Sequence, residues 1–75
     1  MDFRIVEQTS LPDKTLNLII KMNRKDQIIF CSILEAWEGV FNYTTIDKAN
    51  SLLNVKIAED FIQEALELLS FLQTY

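Results

Sequence analysis

The sequence predicts an α+β domain in which an antiparallel sheet is covered by two helices on one face. Three observations carry that expectation. Two segments near the N-terminus alternate apolar and polar residues with the period of a strand. Residues 58–72 hold an unbroken apolar stripe of helical period. Between them, a second amphipathic helix is bounded by Asn23 and Gly39.

Phe3 to Gln8 alternates, with Phe3 and Ile5 on one face and Arg4 and Val6 on the other, and reads as a strand. Thr9 to Lys14 reads as a turn, because Pro12 fixes φ and Asp13 offers a local acceptor. Leu16 to Met22 alternates again, with Leu16, Leu18, Ile20 and Met22 on the apolar face, so the two strands form a hairpin. Asn23 is a good N-cap and Asp26 follows at the capping-box spacing. Phe30, Ile33, Leu34 and Trp37 then mark the buried stripe of the first helix, which Gly39 is expected to end as its C′ residue. Val40 to Asp47 reads as a third strand, Asp47 to Asn50 as a turn, and Ser51 to Ile57 as a fourth strand. Ala58, Phe61, Ile62, Ala65, Leu68, Leu69 and Leu72 form the stripe of the last helix, with Glu59 and Asp60 in its first turn complementing the dipole.

The order β-β-α-β-β-α predicts a sheet order of 1-2-4-3, since a right-handed crossover through the first helix leaves room for strand four between strands two and three. This is a two-layer ferredoxin-like sandwich, circularly permuted so that its usual last strand comes first. A β-α-β-β-α unit with a loose N-terminal segment is the alternative. One Gly and one Pro in 75 residues leave no room for a linker, so residues 1–75 form a single domain.

The net charge of −4 is unevenly spread. Residues 1–34 carry five basic and four acidic side chains, net +1, and residues 35–75 carry two basic and seven acidic, net −5. An acidic C-terminal half argues against a phosphate-backbone partner, which rewards clustered Lys and Arg. No apolar run approaches the roughly 20 residues that span a bilayer, and a membrane role is not expected. One cysteine permits no internal disulfide, and the absence of histidine leaves zinc without its usual ligands. A single thiol without a secretory leader points to the cytoplasm. A chain this short builds a marginal core and gains from a partner subunit.

Ile33-Leu34-Glu35-Ala36-Trp37-Glu38-Gly39 ends a helix in Glu, a small residue, an aromatic, an acid and Gly, and Thr45-Ile46-Asp47 ends a strand. In these residues the chain, from about Asn23 onward, resembles a small prokaryotic domain-of-unknown-function family, number 4911, with its leucine-rich helix of that ending and its Thr-Leu-Asp strand end. Lys48-Ala49-Asn50 and Val55 to Ala58 depart from it by lacking the expected Pro or Gly. The resemblance implies an α+β fold and no reaction. At the level of the fold, the arrangement also resembles amino-acid-binding ACT-type regulatory domains, which often bind ligands at a strand-to-helix loop.

No glycine-rich phosphate loop, triad or metal-spaced His/Cys set is present, so catalysis and a bound cofactor are not expected. Lys21, Arg24 and Lys25 cluster where the second strand enters the first helix, and with Asn23 they would suit an anion at a helix N-terminus. Glu35 and Glu38, at the far end of that helix, oppose its dipole. With Asp47 they would suit a hard cation, although solvated acids are the simpler reading. Cys31 has no histidine to activate it. Val6, Ile19 and Leu52 fall on the sheet face away from the helices, where an open antiparallel face normally carries polar residues. They are the expected interface of a homo-oligomer, with the edge around Val40 to Thr45 as the other route.

Overall fold

The computed structural model of the chain describes residues 1–37 and 39–75. Four strands, β1 (Phe3–Ser10), β2 (Leu16–Met22), β3 (Phe41–Asp47) and β4 (Leu52–Ile57), form one sheet in the order β1-β2-β4-β3. Every neighbouring pair is antiparallel, as the ferredoxin-like order requires. Helix α1 (Arg24–Glu35) joins β2 to β3, and α2 (Ile62–Thr74) follows β4 through a single 3₁₀ turn at Glu59–Phe61. The N-terminal strand is part of the sheet.

Alternation explains the core. Leu16, Leu18, Ile20 and Met22 of β2 and Leu53, Val55 and Ile57 of β4 all lie on one face and are buried. Phe30 and Leu34 of α1 and Ala65, Leu69 and Leu72 of α2 join the same cluster, so both helices cover that face. The rings of Phe3 and Phe30 meet at 5.3 Å, tying the start of β1 to α1. Gln73 donates a 3.3 Å hydrogen bond to the Phe3 carbonyl, which places the end of α2 beside the start of β1.

Asn23 caps α1, its Oδ1 accepting from the Asp26 amide at 2.8 Å. The reciprocal bond runs between side chains, Asn23 Nδ2 donating to Asp26 Oδ2 at 3.1 Å.

Three expectations change. Helix α1 stops at Glu35 with Ala36 as its C-cap, so Gly39 is not its C′ residue. Gly39, with φ of 78°, instead serves the turn in which the Val40 amide donates to the Trp37 carbonyl at 3.2 Å. The strand alternation also breaks on both sheet edges. The register shifts between Ile5 and Glu7 in β1 and between Thr45 and Asp47 in β3, leaving Val6 and Ile46 as bulge residues. Bulges of this kind twist an edge and discourage further strand pairing. Finally, the last helix begins its α-helical turns at Ile62, because Ala58 is extended and residues 59–61 wind more tightly.

Candidate functional site

Helical spacing places Cys31 and Glu35 on the same side of α1, one turn apart. Tyr43 pairs with buried Val55, so it points from edge strand β3 toward the helix layer. There its hydroxyl donates a hydrogen bond to the Glu35 carboxylate. That bond, reinforced by burial and by the neighbouring charge, pushes the Tyr43 hydroxyl up to about 12. Burial likewise pushes the Cys31 thiol up, with the Tyr43 hydroxyl opposing and the Glu35 carboxylate adding to the shift. Arg24, Gln27, Ile28 and Ser32 complete an open groove of about 340 Å³ around these three residues. A thiol shifted in this direction is a poor nucleophile at neutral pH, and a phenol held as a donor keeps its proton. The arrangement fastens β3 to α1 and gives the dipole-opposing Glu35 a partner.

The N-terminus of α1 is built differently. Asp26 places a carboxylate in the first turn, and Asn23 is engaged with it through both of its side-chain atoms. Arg24 and Lys25 are exposed. Asn23 and Lys21 line an open groove of about 360 Å³ with Asp2, Phe3, Arg4, Met22 and Ser51. Arg4 and Lys21 are cross-strand partners there. Arg24 belongs to the Glu35 groove instead, so the expected basic cluster is divided between two places.

Glu38 lies outside the described residues. Asp47 is held in the β3–β4 turn, its carboxylate accepting from the Asn50 amide at 3.1 Å and from Asn50 Nδ2 at 2.7 Å, and these bonds hold its carboxyl below the usual range. It lies four strand residues beyond Tyr43, about 13 Å along β3, and is not gathered with Glu35. Among the described residues, no group of three or more His, Cys, Asp or Glu side chains is placed to hold a metal ion.

The outer sheet face follows from the register. One row across the four strands reads Glu7, Ile19, Asn54, Thr44, and the next reads Thr9, Asn17, Lys56, Asn42. Asn54 Nδ2 donates to Asn17 Oδ1 at 2.8 Å across β4 and β2. Ile19 therefore sits between Glu7 and Asn54, Leu52 lies opposite Lys21, and Val6 occupies the β1 bulge. The three do not share a row. Ile19 and Leu52 are half-buried and Val6 is exposed.

A family model described as a domain of unknown function, DUF4911, matches residues 20–75. The chain belongs to this family. The DUF4911 match opens at Ile20, within β2, and runs through α1, β3, β4 and α2. Strand β1 and the first half of β2 lie outside the matched residues. No curated protein and no solved structure matches the chain.

The Tyr43–Glu35–Cys31 grouping was not visible in the sequence as a unit. Its signal was the parity of Tyr43, which shares a strand face with Phe41 and thus faces α1, where Glu35 ends the helix.

Proposed function

We propose that this DUF4911 protein is a small non-catalytic interaction or accessory module of the cytoplasm that works by self-association. The observation that carries the reading is the number of large apolar side chains left in solvent by so small a fold. Ile28 is 73 % exposed, Ile29 53 %, Phe71 60 % and Tyr75 83 %, while Val6, Ile46 and Phe61 are also exposed. Single exposed apolar residues are ordinary, but several grouped on one element mark an association surface. The titratable groups of the α1–β3 groove fit a non-catalytic role, because Tyr43 and Glu35 satisfy each other and the Cys31 thiol is shifted away from reactivity. No helix among the described residues is long and apolar enough to cross a membrane.

The test is the melting temperature as a function of protein concentration. A folded state that is also an assembled state melts higher as concentration rises. A melting temperature constant from low to high micromolar concentration would count against self-association.

A second reading, an ACT-like sensor of an anionic metabolite, draws on the Arg4–Lys21 pair beside the α1 N-terminus. A thermal-shift screen with amino acids and phosphorylated metabolites tests it. Stabilisation by one of them, lost on replacing Arg4 and Lys21 by Ala, supports it, and no stabilisation across the set removes it.

A further inference from the structure

The two helices place their exposed apolar side chains on the same part of the surface. Gln73 reaches the Phe3 carbonyl, so the Gln73 side of α2 faces β1. Glu35 meets Tyr43, so the Cys31–Glu35 side of α1 faces β3. The remaining flanks face each other. On α1 this flank carries Ile29 and Ile33, at i and i+4. On α2 it carries Leu68 and Phe71, at i and i+3, followed by the C-cap residue Tyr75 at i+7. Ile33 and Leu68 are half-buried and packed against the core, whereas Ile29, Phe71 and Tyr75 project into solvent. The rings of Phe71 and Tyr75 meet at a tilt of 44°, with centroids 6.0 Å apart.

The strands fix the lengthwise position. Helix α1 starts after Met22, which pairs with Phe3, and α2 ends beside Phe3, so the helices run in opposite directions. Ile29, the sixth of the twelve residues of α1, therefore lies midway along the helix layer, and Phe71 and Tyr75 lie toward the end where α1 begins. The apolar seam runs from the middle of the layer to that end.

Charge selects the occupant. Residues 57–75, which contain all of α2, carry no basic side chain, and their four acidic ones (Glu59, Asp60, Glu64 and Glu67) lie before or in the first half of that helix, away from its end beside Phe3. The last turn of α2 has no cation to offset the negative end of its dipole. Arg24 and Lys25, in the first turn of α1, are exposed at that same end of the molecule. Within one copy they sit on the neighbouring helix. A two-fold axis running parallel to the helices, over the seam, would lay α1 of each copy on α2 of the other. It would bring Arg24 and Lys25 to the partner's cation-free helix end, and Ile28 and Ile29 to its aromatic pair. A single chain carries both complementary halves, which is the requirement for an isologous contact. A standard interface removes about 800 Å² from each partner, about one sixth of the 4952 Å² exposed by this chain. A helix layer forming one whole face of a two-layer fold is large enough for that.

We infer that a second copy of this chain docks on the α1–α2 face of the first, the two related by a two-fold axis parallel to the helices. The inference rests on the self-association reading and assigns it to the helix layer, not to the outer sheet face around Ile19. The polar rows flanking Ile19 favour water there, and the bulged edges oppose strand addition.

The full chain and its variants are compared by size-exclusion chromatography with light scattering, and their folding is checked by circular dichroism. The wild type is expected at twice its 8.8 kDa chain mass. Phe71→Glu and Ile29→Glu are expected to run as folded monomers, Arg24→Glu with Lys25→Glu to dissociate at higher protein concentration than wild type, and Ile19→Lys to remain dimeric. Phe71→Ala replaces Phe71→Glu if the charged variant fails to fold, with the same expectation of a weakened dimer. A dimer insensitive to the helix substitutions, or one broken by Ile19→Lys, overturns the assigned surface and leaves self-association standing. A wild-type monomer at all micromolar concentrations overturns both.

Discussion

Ile19 and Ile20 are chemically identical neighbours on central strand β2, yet the register sends them to opposite faces. Ile20 lies opposite Leu53 and has no exposed surface, whereas Ile19 lies opposite Asn54 and is half-buried. Replacing each by Ala separates burial from everything else, because the loss of strand propensity and the change in the unfolded chain are closely matched. Truncating a fully buried Ile to Ala costs about 2–5 kcal/mol. A chain of this length has roughly 4–11 kcal/mol of stability in total, so Ile20→Ala removes a large fraction of it. At about 4–8 °C per kcal/mol for domains of this size, even the lower bound lowers the melting temperature by about 8–16 °C. Ile19→Ala leaves no closed cavity and should cost less than about 1.5 kcal/mol, combining strand propensity with partial loss of contact. Chemical denaturation at low protein concentration, where association contributes least, measures both. Equal losses, or a larger loss at Ile19, would refute the register, since a one-residue slip exchanges the two faces.

Other consequences are local. Tyr43 has its pKa raised to about 12 by the Glu35 carboxylate, so its contribution to stability is complete below the ordinary tyrosine value near 10 and is lost as pH rises through 12. Ultraviolet titration should show one late tyrosine, and Glu35→Gln should return its midpoint toward 10; an unchanged midpoint would contradict the assignment. Gly39→Ala should cost about 1–2 kcal/mol from the backbone alone, because an added Cβ meets nothing within 4 Å but φ is +78°. Ser51→Gly, at φ of 57°, should shift the denaturation midpoint in the opposite direction or leave it unchanged. The closeness of the α2 end to the start of β1 predicts that a circular permutant opened in the Leu11–Thr15 turn, with Tyr75 joined to Met1 by a short Gly/Ser linker, folds with the wild-type circular dichroism spectrum. An unfolded permutant would argue against the permuted ferredoxin-like relation.

The order of elements was legible because each buried strand carries its own alternation. Leu16, Leu18, Ile20 and Met22 specify one face of β2 without reference to the rest of the chain. Asn23 was equally legible, since capping is a local interaction between residues three apart. The departures arose where tertiary structure overrides local pattern. Val6 and Ile46 look like ordinary alternating strand residues, and only pairing with β2 and β4 reveals that each is an extra residue in its ladder. Gly39 is an effective helix stop by type, yet α1 had already ended at its C-cap Ala36, after which the Trp37 amide donates three residues back to the Leu34 carbonyl. The site was less legible than the fold. Glu35 stood out as an acid at the wrong end of a dipole, but its partner Tyr43 lies across a turn on another element. Likewise, the apolar surplus of α2 was visible in composition, while its alignment with Ile29 depends on how the two helices lie on the sheet.

Self-association is most directly tested by sedimentation equilibrium of the wild-type chain across the micromolar range. A mass that rises with concentration to twice 8.8 kDa is the predicted result. A mass that remains at 8.8 kDa throughout would contradict it.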